Sequence, residues 1–311
     1  MSPILHHYPA SLFSEKIRVL FGYLRLDWQS VIIPPIMPRP FLMPLSGGYR
    51  KTPIMQIGAN VYCDTQVICR ALARIGGNST LYAAGFPAER VAQWADSDLF
   101  RTVVALNFRE AAITAQMSQL SPEAVAAFQK DRAELSAGAP IVGVPPTAAE
   151  AHFQEYLQSL ESSLEGGFLF GEVPSIADFS VYHCLWFVDG NPVNKAMLAD
   201  WPNVLDYMER MRQFGHGRFT ELTAEEAHGI GKRAEPVAPE NARVDARLAL
   251  TLKAGQNVAV SATDYGRNPI TGSLIKWTAE EIVILRKDAE VGNIMVHFPN
   301  TGFSVSADPS G

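Results

Sequence analysis

The sequence predicts an α/β N-terminal domain, an all-helical second domain and a small all-β C-terminal domain. Three observations predict it. Residues 4–75 alternate short apolar runs with one-faced helical patterns in the order βαβ then ββα. From Glu89 the pattern changes to long helices. After about residue 245 it changes again, to short strands separated by turn signals. The 311 residues leave room for two domains and an appendix. The expected divisions are 1–78, 89–225 and 245–306.

Ile4 to Tyr8 reads as a first strand. A helix is expected over Ser14–Leu24, because Ile17, Leu20, Phe21 and Leu24 share one face and Ser14 is a good N-cap. Trp28–Ile33 reads as the second strand. Prolines at 34, 35, 38, 40 and 44 forbid a long helix over 34–48 and leave one turn near Phe41–Leu45. Ile54–Ile57 and Val61–Cys63 read as a hairpin around Gly58-Ala59-Asn60. Asp64 or Thr65 then caps a helix that Gly76-Gly77 ends.

Helices are next expected over 90–108, with Val91, Trp94, Ala95, Phe100 and Val104 inward. Another is expected over 122–137 with Ser121 as its cap. A third is expected over 147–164, with Thr147 and Glu150 as a capping box. Ser175-Ile176-Ala177-Asp178 opens an apolar helix through Trp186, with Asp178 reaching back to the Ser175 N–H. Val204–Phe214 follows, and 230–243 reads as linker. Leu248–Leu252 is linker or a first strand. Residues 257–262, 272–277, 281–286 and 294–298 read as strands of a small barrel or sheet. Asp264-Tyr265-Gly266 and Gly302 are turn signals. Tyr265 and His297 read as satisfied residues of that module.

Composition narrows the function. Hydrophobic residues make up 47% and charged residues 19%, as in an ordinary globular chain. A net charge of -6 argues against a nucleic-acid surface. The three cysteines, Cys63, Cys69 and Cys184, make no disulfide framework and no metal-ligand spacing, so no metal is expected and a reducing, cytoplasmic setting is. No secretory signal or membrane-length apolar run is read, and no membrane partner is expected.

Lys51-Thr52-Pro53 before a strand, and Asp64-Thr65 opening the next helix, together resemble the N-terminal, thioredoxin-like domain of the glutathione S-transferase superfamily. The Ser175–Asp178 box and the order of elements over roughly 3–220 are also similar to that family. The resemblance implies a glutathione S-transferase fold, glutathione as co-substrate, a small electrophile as second substrate, and a homodimer. It implies that Thr52-Pro53 pairs with the glutathione backbone and that Lys51 meets the glycyl carboxylate. Asp64 would meet the glutamyl ammonium, and Thr65 the glutamyl carboxylate.

Matching Lys16-Ile17-Arg18 to the family's basic-apolar-basic run puts Ser11 at the thiolate-stabilising position, with Tyr8 the alternative. Leu12 stands where the family commonly has proline. The electrophile pocket is expected near the 101–112 helix end, Tyr182 and Trp186. The implied activity is conjugation of the glutathione thiolate to an electrophile. The alternative is a non-catalytic scaffold of the same fold that recruits a partner through its β domain.

Overall fold

A computed structural model describes residues 1–118, 120–139, 143–164, 167–249 and 251–308. The first unit runs β1 (Ile4–His7), α1 (Leu12–Leu24), β2 (Asp27–Ile32), α2 (Met43–Ser46), β3 (Ile54–Ile57), β4 (Asn60–Cys63) and α3 (Thr65–Ile75). β1 pairs parallel with β2 and antiparallel with β3, and β3 pairs antiparallel with β4. Side chains alternate across the strands: Ile4 and Ile54 enter one core, Leu5 and Met55 the other.

The helical unit contains α4 (Gly85–Trp94), a π-turn over Ala95–Leu99, α5 (Phe100–Asn107), α6 (Glu110–Met117), α7 (Pro122–Ser136), α8 (Pro146–Ser163), α9 (Ile176–Asp189) and α10 (Pro202–Arg212). The single helix expected over 90–108 is therefore two, joined by the π-turn. Its buried stripe is Ala88, Ala92, Ala95, Leu99, Val103 and Leu106; of the five expected core residues only Ala95 is fully buried. Small residues let α4 pack closely, while the larger Val91 and Trp94 sit at its margin. The Ser121 cap is formed, accepting from the Ala124 N–H at 3.2 Å.

The expected Thr147–Glu150 box is not formed. The helix starts one residue earlier on Pro146, and Glu150 instead pairs with Arg109 at 2.8 Å. The Ser175–Asp178 pairing is formed: Asp178 accepts from the N–H groups of Ser175 and Leu169, each at 2.8 Å. Part of the expected Gly166-Gly167 stop and Leu250 lie outside the described residues.

Three elements went unanticipated besides α6: β5 (Arg218–Glu221), α11 (Ala224–Arg233) and β10 (Phe303–Ala307). β5 is exposed along its length and carries no burial pattern. α11 starts in the predicted tail of the second domain and runs into the predicted linker, capped by Thr223 and Glu226. Residues 246–249 form one helical turn, α12, rather than a strand.

The C-terminal strands β6 (Asn257–Ala262), β7 (Ile270–Trp277), β8 (Glu281–Asp288), β9 (Gly292–Pro299) and β10 follow. Of barrel or sheet, the described residues form a sheet. β9 pairs parallel with β4, giving the order β10-β6-β7-β8-β9-β4-β3-β1-β2-β5.

The reason lies in the proline-rich segment. Residues 34–48 can supply only the single turn α2, which is too small to cover one face of the first sheet. That face buries Ile4, Val31, Ile54 and Val61 against Val260, Ile284 and Phe298 of the C-terminal strands, with Leu45 and Ala227 between them. Gly47 has φ 72°, and a Cβ there would lie 2.7 Å from Ile270, so the chain turns where only glycine fits. The opposite face, through α1 and α3, packs on the helical unit.

Candidate functional site

Strand register brings the predicted site residues to one end of the sheet. His6 lies opposite Ile54, and Ile54 opposite Cys63. Tyr8 leaves the end of β1, Pro53 enters β3, and Asp64 leaves β4. These three positions must therefore be neighbours. Thr52-Pro53 is a cis peptide bond.

The loop after β1 is held from below. Arg18 donates to Glu15 at 2.9 Å, to His7 Nδ1 at 3.1 Å and to the Pro9 carbonyl at 2.9 Å. Burial and the Arg18 charge push His7 down to about 3, so it is a neutral acceptor. Ser11, rather than the expected Ser14, is the N-cap of α1: its hydroxyl accepts from the Ser14 N–H at 3.2 Å. Accepting that bond leaves the Ser11 hydroxyl its own proton to donate. The helix N-terminus adds positive potential there. Tyr8 is half-buried in the same loop.

At the other side, Asp64 caps α3 by accepting from the Gln66 N–H at 2.9 Å. Its backbone has φ 94° and ψ 140°, outside the left-handed helical region and strained for a residue with a side chain. Burial raises the Asp64 carboxyl, and the Lys51 charge opposes that rise. Thr65 is buried in the first turn of α3. The α3 start thus presents a carboxylate and free backbone N–H groups side by side.

The proline-rich loop is organised by Arg39, which is buried. It donates to the carbonyls of Pro34, Pro35 and Arg50 and to the Thr52 hydroxyl at 2.9–3.1 Å. Asp131 of α7 accepts from the Met37 N–H at 3.0 Å and pairs with Arg50 at 2.8 Å. Sequence reasoning passed over Arg39, because its acceptors are backbone carbonyls and carry no side-chain signature.

Comparison with known proteins fits this geometry. The family model "Glutathione S-transferase, N-terminal domain" matches residues 5–80, and "Glutathione S-transferase, C-terminal domain" matches 110–210. A glutathione S-transferase-like protein from Pseudomonas syringae is 36% identical over 99% of each chain, with a TM-score of 0.81. The chain belongs to the glutathione S-transferase superfamily.

A glutathione S-transferase from Sinorhizobium meliloti matches at 15% identity and TM-score 0.50, covering 68% of this chain and 88% of its own. Glutathione transferase F2 from Populus trichocarpa matches at 13% identity and TM-score 0.50, covering 68% and 93%. These two show the fold. A comparison with curated proteins found no match. The Pseudomonas match, by its coverage, takes in the C-terminal strands as well.

Residues of the C-terminal unit reach Lys51. Lys51 is paired with Asp264, which lies beyond β6, and its ammonium sits 4.3 Å from the Tyr265 ring centroid. Burial and the charges of Asp264 and Asp64 push the Tyr265 phenol well up. The Tyr265 ring thus stands beside Lys51 as well as within the C-terminal unit. His297 is hydrogen bonded to Glu281 at 2.8 Å and Asn60 at 3.0 Å, as a satisfied residue should be. Tyr182, expected near an electrophile pocket, is buried in the helical core. Trp186 is half-buried under the Arg18 guanidinium. Cys63 is a buried free thiol, as its strand-end position implied.

Proposed function

We propose that the chain is a glutathione-dependent transferase that joins the glutathione thiolate to a small electrophile. The observation that carries the reading is the convergence of the Ser11 loop, the Thr52-Pro53 turn and the Asp64-capped α3 at one sheet end. In this reading Asp64 takes the glutamyl ammonium, Thr65 and its N–H the carboxylate, and residues 52–53 the peptide backbone. Lys51 takes the glycyl carboxylate.

The glutathione thiol gives up its proton to solvent. The Ser11 O–H then donates to the thiolate beside the α1 N-terminus, with Tyr8 as the alternative donor. The sulfur attacks the electrophilic carbon, a C–S bond forms, and the leaving group departs with its electron pair. Residues 1–78 serve as the glutathione unit, 89–225 as the helical unit, and 245–306 as a third unit. The chain acts as a cytoplasmic homodimer, a setting supported by the free thiols of Cys63, Cys69 and Cys184.

The test is glutathione transfer to a chloronitrobenzene, followed by absorbance. Ser11→Ala should lower the rate about a hundredfold, the usual cost of one donor to a reacting anion. Loss in Tyr8→Phe with full rate in Ser11→Ala would transfer the role to Tyr8. A second reading, a scaffold of this fold that recruits a partner through β6–β10, is favoured by the Asp264 carboxylate on Lys51. A folded wild-type protein with no transfer to any electrophile offered would support that reading instead.

A further inference from the structure

The turn after β6 reaches out of the C-terminal strands and touches both other units. Asp264 pairs with Lys51, 213 residues away in sequence. The Gly266 N–H donates to the Leu135 carbonyl of α7 at 2.8 Å, and Arg267 donates to the Gly138 carbonyl at 2.9 Å. Gly266 has φ 64°, and a Cβ there would stand 3.2 Å from Leu135 Cδ1 and 3.5 Å from Lys51 Cε. The turn is therefore pinched between the lysine and the end of α7.

The charges are arranged around one cation. The Lys51 side chain is 13% exposed and that of Asp264 is 42% exposed. The anion is thus the better solvated member. Lys51 is held from a second side by the Tyr265 ring, and Phe303 stands 6.0 Å from its ammonium. Losing Asp264 would leave Lys51 in place, still caged by two rings.

We propose that Asp264 is a specificity-determining residue of this site: it is an internal carboxylate on Lys51 that a ligand's carboxylate must displace. The inference rests on the glutathione reading above and deepens it. A thiol peptide with a free C-terminal carboxylate meets a cation already neutralised, and pays in affinity for the exchange. A peptide whose C-terminal carboxylate is masked makes no such demand. The third unit thereby sets which thiol peptides the first unit holds.

The experiment uses the full-length protein and two ligands, reduced glutathione and its glycyl monoethyl ester, titrated calorimetrically into wild type, Asp264→Asn, Lys51→Ala and the double variant. Asp264→Asn should tighten glutathione by about twofold to fivefold, the upper part of the range for a partly exposed ion pair. The ester should change by less than about twofold on the same scale. On the Lys51→Ala background the Asp264 substitution should change neither ligand. Asp264→Ser serves as a second variant, with thermal unfolding as the folding check.

Unchanged or weaker glutathione binding in folded Asp264→Asn, beside a wild type that does bind, overturns the inference and leaves the glutathione reading standing. Equal tightening of both ligands also overturns it, since the effect would then not act through the glycyl carboxylate. Absence of binding by every folded variant removes the glutathione reading and the inference with it.

Discussion

Replacing Asp64 by asparagine and by alanine separates its structural role from its binding role. In the structure Asp64 does three things. Its side chain accepts from the Gln66 N–H at 2.9 Å, its backbone sits at φ 94°, and its charge lies near Lys51. Asparagine keeps the cap and bears the same backbone conformation at the same cost, because it caps helices and matches aspartate in shape. It also removes a carboxylate whose ionised form is disfavoured by burial. Asp64→Asn should therefore unfold in denaturant within about 0.5 kcal/mol of wild type or slightly later. Alanine loses a cap worth about 1 kcal/mol and meets a backbone strain that aspartate already bears. Asp64→Ala should then be about 1 kcal/mol less stable.

Binding should behave differently. A hydrogen bond between charged groups contributes about 1.5–3 kcal/mol, so Asp64→Asn should weaken glutathione about tenfold to a hundredfold. Urea titration reads the first quantity and calorimetry the second. If the asparagine variant binds glutathione within a factor of two of wild type, Asp64 is a cap and nothing more, and the glutamyl assignment is wrong.

Other expectations follow from buried polar groups. Lys16 pairs with Asp96 at 2.7 Å and His183 donates to the same carboxylate at 3.0 Å, with Lys16 and His183 buried and Asp96 nearly so. Lys16→Met strands Asp96 and should cost about 3–5 kcal/mol in urea unfolding. A Cβ on Gly231 of α11 would lie 2.4 Å from Leu45. Gly231→Ala should therefore cost about 1–3 kcal/mol by overpacking, and an unchanged melting temperature would mean that α11 does not dock on α2.

Acid should destabilise through His6, whose pKa is lowered by burial from 6.5 to about 4. The unfolded chain binds that proton below pH 6.5 and the folded chain only near pH 4. Stability from this group is thus full above pH 6.5 and is lost as pH falls from 6.5 to 4, by about 3 kcal/mol at most. His6→Gln should flatten that part of the pH profile of unfolding.

What the sequence made legible and what it hid differ in range. The hairpin, the α3 cap and the Ser175–Asp178 pairing are local, and residues a few positions apart specify them. Burial of Ile4 and Leu5 on opposite faces likewise follows from period-two alternation. Ser11 and Ser14 are equally good caps by residue type, and only the folded chain chooses Ser11. β5 is exposed along its length and carries no alternation, whereas β10 does alternate half-buried Phe303 and Val305 with exposed Ser304 and Ser306, a short period-two signal open to reading.

The Lys51–Asp264 pair spans two units and has no signature short of the folded chain. The same holds for β9 against β4, where an ordinary strand edge meets another strand far along the chain. Shortening of α2 to one turn was readable from five prolines; what covers the sheet face beside it was not. No helix among the described residues is long and apolar enough to cross a membrane.

The central claim is that the Ser11 loop, the Thr52-Pro53 turn and the Asp64-Thr65 helix start make a glutathione site. The most direct measurement is calorimetric titration of the full-length protein with reduced glutathione. The account predicts saturable one-to-one binding per chain in the micromolar to millimolar range. No heat of binding from protein shown to be folded by its cooperative thermal transition would contradict it.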